Sequence, residues 1–286
     1  MSRMSDFRHN YLETIMRLRA AEAPELWFAE FISGAVHASQ VDKAGKPYSA
    51  HPARVVLNLR SMPEYQELSD AQKSAATAAA WLHDVIEDSG TNGFPAIAIG
   101  HLMSRNISAE ALEVIELLTR TEDNSSESQD AYYKGILASP LALLVKWADI
   151  ADNLNEQRLS SLSQEHQQKA RAKYAQALEI LAMTSAQRAW LADRVSKTPL
   201  DLSQRCPICE RWVITSERYP RYVCHWCTLS TTDLHGKTIS VYNADILGCG
   251  VMVDGVEVES GHAVWVKGVP CTASEAYFGG IVIKAC

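Results

Sequence analysis

Apolar residues recur three and four positions apart from residue 5 to about 195, and the interiors of the runs are rich in alanine, as in AQKSAATAAAWLHDVI. That spacing puts apolar side chains on one face of a helix, so the pattern predicts roughly ten helices in this part of the chain. Polar breaks at SMPE, SGTNGFP and TEDNSSES separate them. The most polar segment, TEDNSSESQD, is expected to be an exposed loop and helix cap. Pro52 and Pro140 suit the first turns of the helices continued by RVVLNLRSM and LALLVKWADIADNL. No internal repeat or low-complexity tract is present.

The texture changes across VSKTPLDLSQR, residues 195–205. Beyond it, KTISVYNADI, GVMVDGVEVES, HAVWVKGV and GGIVIKAC alternate apolar and polar positions between Gly and Asn-Ala-Asp breaks, the signature of short strands. TASEAYF is expected as one short helix among them. The predicted fold is therefore mainly α, with an all-helical domain over 1–197 and a small β-rich domain over 205–286.

Composition narrows this picture. At 286 residues with a hydrophobic fraction of 47% the chain can bury a large core and a small one. The net charge of −7 gives no general attraction to nucleic acid or to an anionic membrane. No run approaches the roughly 18 apolar residues of a membrane span. The first residues lack an apolar signal core and carry acidic groups, so a cytoplasmic location is expected. All seven cysteines lie at or after Cys206. An odd count with CxxC pairs reads as metal ligands and free thiols in a reducing compartment.

The stretch WLHDVIEDSG, residues 81–90, sets His83, Asp84, Glu87 and Asp88 at the end of an apolar run, where unpartnered burial would be costly. On one continuous helix His83 and Asp84 would sit about 100° apart, with Glu87 below both and Asp88 below Asp84. KWADIADNL adds Asp149 and Asn153 four apart and Lys146 three before Asp149, and AVHASQVDKAGKPYSAHP carries His37 and His51. Two imidazoles and two carboxylates suit Mn²⁺, Fe²⁺ or another divalent ion with open positions for water, which makes hydrolysis reasonable chemistry. The plainer alternative is a chance His-Asp pair and a solvated acidic helix end. Residue types and spacing leave both open.

The order of the pieces adds to this. HxxQ at 37–40, GKPYSAHP at 45–52, LHDVIED at 82–88, LTR at 118–120 and VKWADIADNL at 145–154 together resemble the HD-domain hydrolases. Within them the chain is similar to the hydrolase domain of RelA/SpoT-type proteins and to the small alarmone hydrolases, over about residues 25–160. The resemblance implies a metal, usually Mn²⁺, held by His51, His83, Asp84 and Asp149. It implies Glu87 and Asp88 as the acidic pair that handles the attacking water, Asn153 near the nucleoside, and Lys43 and Tyr48 in the loop lining the pocket. Lys46, Lys146 and Arg158 are further candidate cations by motif position. Arg120 is expected to tie helices together, and His37 to pack or to support a ligand. The implied reaction removes pyrophosphate from the 3′ position of an alarmone-like nucleotide such as (p)ppGpp.

Two departures stand out. The family loop commonly reads Arg-Lys-Ser, whereas this chain has Asp42-Lys43-Ala44, which removes a cation that stacks on guanine and adds an acceptor. After Asn153 the family commonly carries a basic residue and Thr, and here Asn155 and Glu156 follow. An HD-type nucleotidase or nucleoside-triphosphate hydrolase, and a nucleotide-sensing module whose tail recruits a partner, are the alternatives. The full ligand set and acidic pair favour an enzyme. Family members are often oligomers, although the residues themselves carry no signature of one.

In the tail, CPIC and CHWC form C-x2-C-x14-C-x2-C. The spacing predicts a zinc-ribbon-like site with Cys206, Cys209, Cys224 and Cys227 on a structural Zn²⁺, against a redox CxxC as the weaker reading. Cys249, Cys271 and Cys286 are expected to be ordinary thiols. Arg205, Arg211, Arg218 and Arg221 interleave with Trp212, Tyr219, Tyr222 and Trp226, a mix that suits packing better than nucleic-acid binding given the small local excess of positive charge. A nucleotide is thus the expected partner, with no membrane and no nucleic acid.

Overall fold

The computed structural model describes residues 25–38, 40–90, 96–120, 125–199, 202–216, 218–245, 248–253, 256–258, 263–275 and 281–286. Expectations for residues 5–24, and for parts of the SGTNGFP and TEDNSSES breaks, lie outside this set. The chain divides into two compact units, Met1–Asp201 and Leu202–Cys286.

The described helices of the first unit are α1 (Glu25–Val36), α2 (Ala50–Arg60), α3 (Pro63–Gln66), α4 (Asp70–Leu82), α5 (Val85–Ser89), α6 (Ala96–Asn106), α7 (Ala109–Leu118), α8 (Ser126–Ala138), α9 (Pro140–Asn153), α10 (Glu156–Ser160), α11 (Gln164–Ile180) and α12 (Ser185–Ser196). The organising element is α4. Its start is fixed by a capping box between Ser69 and Gln72. Its second half, Ala75 to Leu82, is buried on every side, and α1, α2, α7 and α9 pack against it. The small side chains of Ala75, Ala76, Ala78, Ala79 and Ala80 make that possible, because they let four neighbouring helices approach closely.

α9 is the second buried helix. Ser139 caps it and Pro140 occupies its first turn. Residues Val145 to Asp152 are buried without interruption, including Lys146, Asp149 and Asp152. Three charged groups on an otherwise apolar helix require partners inside the protein.

The expectation of one continuous helix through His83 to Asp88 is corrected. α4 ends at Leu82, His83 and Asp84 form a turn, and α5 begins at Val85. At the break His83 Nδ1 donates to the Ala80 carbonyl, 2.9 Å, and Asp84, at φ −103° and ψ −4°, takes the N-cap position of α5.

The second unit contains β1 (Ser203–Arg205), β2 (Trp212–Ile214), the single turn α13 (His225–Thr228), β3 (Thr231–Thr232), β4 (Ile239–Asp245), β5 (Gly248–Val253), β6 (Val256–Val258), β7 (Ala263–Val266), β8 (Val269–Glu275) and β9 (Ile281–Ala285). They form antiparallel sheets in the orders β1-β2, β3-β7-β8-β9 and β4-β5-β6. Lys267 and Gly268, both at positive φ, close the two-residue turn between β7 and β8. The expected short helix at TASEAYF is corrected in its described part, since Thr272 to Glu275 are strand residues paired with Lys284 to Ile281. Thr272 and Ser274 alternate with buried Cys271 and Ala273, so the segment has the period of a half-buried strand. No helix among the described residues is long and apolar enough to cross a membrane.

Asn155, one of the departures noted above, has a structural role. Its Oδ1 caps α10 by accepting from Arg158 N, and its Nδ2 donates to the carbonyls of Val195 and Lys197 at the end of α12. Asn155→Ala should lower the unfolding free energy by about 2 kcal/mol, read as a lower urea midpoint with an unchanged m value.

Candidate metal centres

His51 and His83 reach the same point from different elements. His51 lies in the first turn of α2, and its Nδ1 donates to Asp152 Oδ2, 2.6 Å. His83 sits in the turn after α4 with its Nδ1 donated to the Ala80 carbonyl. With both Nδ1 hydrogens committed, an imidazole that gives up its other proton presents its Nε2 lone pair, the form that suits a metal ligand. The two Nε2 atoms face Asp149 Oδ1 at 3.4 Å and 3.7 Å. Asp84 Oδ2 lies 3.6 Å from the first and 3.1 Å from the second.

His51, His83 and Asp149 form a mutually close group of possible ligands, and Asp84 borders both imidazoles. Donors about 2.1 Å from one ion stand roughly 3.0 to 3.5 Å apart, so the separations of 3.1 and 3.4 Å fit and those of 3.6 and 3.7 Å are slightly wider. The buried Nε2 of His83 has no hydrogen-bond partner, which an ion would remedy. Mixed nitrogen and oxygen donors of this type accept a divalent cation.

Each carboxylate is held in place. Tyr48 donates its hydroxyl to Asp84 Oδ2 at 2.5 Å. Lys146 donates to Asp149 Oδ2, 2.8 Å, and Asn153 donates to Asp149 Oδ1. Asn153 is therefore engaged with a ligand, and Lys146 is a buried counter-ion to Asp149 and not a solvated cation for substrate. Asp152 accepts from His51, Arg54 and Arg158. Burial opposes charge on Asp149, but Lys146 and the imidazoles hold its carboxyl well below the usual carboxylate range. His51 behaves in the opposite sense: hydrogen bonds to Asp149, Asp152 and Asp84 outweigh its burial and push its pKa up to about 10.

Glu87 accepts the backbone N–H of Arg120 and stays partly open to solvent. Burial raises its carboxyl above the ordinary value, with the Arg120 N–H bond pulling against it. Asp88 accepts from Gln40 Nε2, 2.8 Å, and Gln40 Oε1 accepts from buried His37, 2.7 Å. His37 thus joins the site through Gln40 instead of through an ion. Lys43 and Lys46 are exposed on the loop over 41–47. That loop is shaped by Asp42, whose Oδ1 accepts from Ala44 N and Lys46 N and whose Oδ2 accepts from Arg158 at 3.3 Å, with Gly45 at φ +74°.

Several participants escaped the sequence reading. Asp152 and Arg54 support His51, and both stand within motifs already singled out. On α11, Lys173 is within electrostatic reach of Arg120, Lys146, Asp149 and Lys43, and Tyr174 of Asp149 and Asp84. The run QKARAKYAQ is that of any solvated helix and gave no signal. Arg120 also places its guanidinium 5.0 Å from the centre of the Tyr132 ring.

In the second unit Cys206, Cys209, Cys224 and Cys227 converge. Cys209 Sγ and Cys224 Sγ are 3.6 Å apart, too far for a disulfide. Thiolates about 2.3 Å from one tetrahedral ion stand about 3.8 Å apart, so the group fits. Among the remaining thiols, Cys271 is buried and Cys286 exposed, and the Cys249 side chain lies outside the description. Arg205 covers the Trp212 ring at 3.8 Å, so at least one tail aromatic is capped by a cation of its own unit.

Because His51 in the metal-free protein carries its proton up to about pH 10, stability from that proton is present below the ordinary histidine value and is lost as pH rises through 10. A divalent ion must displace the proton, so its affinity should rise with pH. Calorimetry at pH 7 in buffers of different ionisation enthalpy should show net proton release on ion binding. Buffer-independent heat would refute the assignment. Searches for matching protein-family models and for similar curated proteins give no match to this chain.

Proposed function

We propose that the helical unit is a metal-dependent phosphohydrolase of the HD type, acting on a nucleotide with a 3′-pyrophosphoryl group, and that the four-cysteine group holds structural zinc. One observation carries the first part: two buried imidazoles with committed Nδ1 atoms turn both Nε2 atoms onto one Asp149 oxygen. Ion pairing alone leaves the buried His83 Nε2 without a hydrogen bond.

His51, His83 and Asp149, with Asp84 beside them, would hold a divalent ion such as Mn²⁺, which would supply Lewis acidity toward water and a phosphoryl oxygen. The remaining work falls to the chain. Glu87, aimed by the Arg120 N–H and with its pKa raised by burial, takes a proton from the attacking water. Asp88, fixed by Gln40, stands one helical turn from Asp84 and holds the water on its other side. Lys43, Lys46, Arg120 and Lys173 offset the charge of the diphosphate, since Lys146 and Arg158 are already paired. Tyr48 keeps Asp84 in position beside the imidazoles.

A nucleotidase reading is favoured by one specific observation. Asp42 is consumed by its own loop and by Arg158, so that loop position offers no cation to stack on a base. The purified protein with Mn²⁺ and a panel of nucleotides separates the readings. Release of pyrophosphate with a 3′-hydroxyl product is expected. Orthophosphate or triphosphate as the product would transfer the assignment to the nucleotidase, and tight binding without turnover would transfer it to a sensor.

With the preferred substrate, Glu87→Gln should lower kcat by about 10²- to 10⁴-fold. In the unmutated protein kcat should fall on acidification through a pKa above the usual glutamate value, because protonated Glu87 cannot act as a base. The substitution should abolish that limb. For the tail, elemental analysis should find about one zinc per chain, lost when Cys206 and Cys209 are replaced by Ser, together with protease resistance of residues beyond 202.

A further inference from the structure

Asp152 has a second environment besides His51. With Arg54, Asn58, Asn155, Arg194 and Lys197 it lines a small cavity between α2, the end of α9 and the end of α12, about 40 Å³ in volume. That is room for about three water molecules, close to the size of a tetrahedral oxyanion.

The charged groups of the wall are three cations, Arg54, Arg194 and Lys197, and one carboxylate, Asp152. Asn58 Nδ2 donates to the Ala148 carbonyl, and its Oδ1 accepts from both Nε and Nη2 of Arg194. The carbonyls of Val195 and Lys197, the negative end of α12, accept from Asn155. Asp152 is shared among Arg54, Arg158 and His51, so one carboxylate answers several cations. Lys197 meets Asp193 at an exposed position, where the pair is worth little. Arg194 is half-buried and bonded to a neutral amide, and among the described residues no carboxylate lies within ion-pair distance of it.

Arg194 has no counter-charge among the described residues and keeps its Nη1 group beyond the bonds to Asn58, as Arg54 does beyond its two bonds to Asp152, and these donors with the Lys197 ammonium suit a phosphate. We propose that this cavity binds a phosphate-sized oxyanion, free or as the phosphoryl end of a small molecule, through Arg54, Arg194 and Lys197, as a site separate from the His-Asp group. The inference does not depend on what the metal centre hydrolyses.

The test is calorimetric titration of inorganic phosphate into the full-length protein without added divalent ions, at fixed ionic strength. One saturable site per chain is expected. Arg194→Gln should weaken it at least about tenfold, and Lys197→Ala, at an exposed position that does not threaten folding, by a few-fold. Lys43→Ala, on the other pocket, should leave the phosphate affinity unchanged. A nucleoside 5′-monophosphate binding much more tightly than phosphate, with the same dependence on Arg194, identifies a nucleotide phosphoryl group as the ligand, and equal affinity identifies the free ion. The proposal is overturned if phosphate does not saturate, if both Arg194→Gln and Lys197→Ala keep full affinity, or if Lys43→Ala abolishes binding.

Discussion

Everything at the centre of the helical unit depends on how Asp149 divides its two oxygens. Oδ2 takes the ammonium of Lys146, and Oδ1 faces the two imidazoles. An unpaired carboxylate in this buried position would be neutralised by protonation. Lys146 instead holds it ionised from one side, which leaves Oδ1, bonded to Asn153, turned to the imidazoles. The geometry needs Lys146 and Asp149 one turn apart on a helix that is buried throughout, and α9 provides both. α4 in turn needs its alanines, because only a narrow helix lets α2 and α9 come near enough for His51 to meet Asp149 beside His83.

A second layer of carboxylate chemistry works the same way. Asp152 orients His51 while answering Arg54 and Arg158, and Arg158 reaches on to Asp42 in the loop that carries Lys43 and Lys46. The loop and His51 are thereby tied to one ion network. A change at Asp42 loses its loop turn and its link to Arg158 together.

The sequence carried much of this, for identifiable reasons. Helical periodicity in α4 and α9 was plain because both are buried along most of their length, and paired CxxC motifs announce themselves by spacing alone. The ends of elements were less legible. His83 could break its helix only by turning its imidazole back on the Ala80 carbonyl, a choice that its residue type permits and does not dictate. TASE read as helix from composition, yet its alternation against β9 decides its state, and that pairing is long-range information. Asp152 was hidden by its neighbour Asp149: two aspartates in one motif look alike until one is seen to face two imidazole Nε2 atoms and the other the Nδ1 of a histidine. Lys173 and Tyr174 come from a helix whose sequence resembles any charged surface.

The distribution of cations bears on what this centre can recognise. The chain is acidic overall, and its site already contains Asp84, Asp149, Glu87 and Asp88. A polyanionic ligand approaching these groups is repelled unless positive charge is local. Lys146 and Arg158 cannot supply it, because each is already bonded to a carboxylate of the protein. What remains is Lys43 and Lys46 on the loop, Arg120 after α7 and Lys173 on α11, groups from three separate elements that lie around the carboxylates and not among them. Under the proposed function, such an arrangement would neutralise phosphates at the periphery and leave the centre to a metal, and Asp42, turned inward on its own loop, would add no cation there.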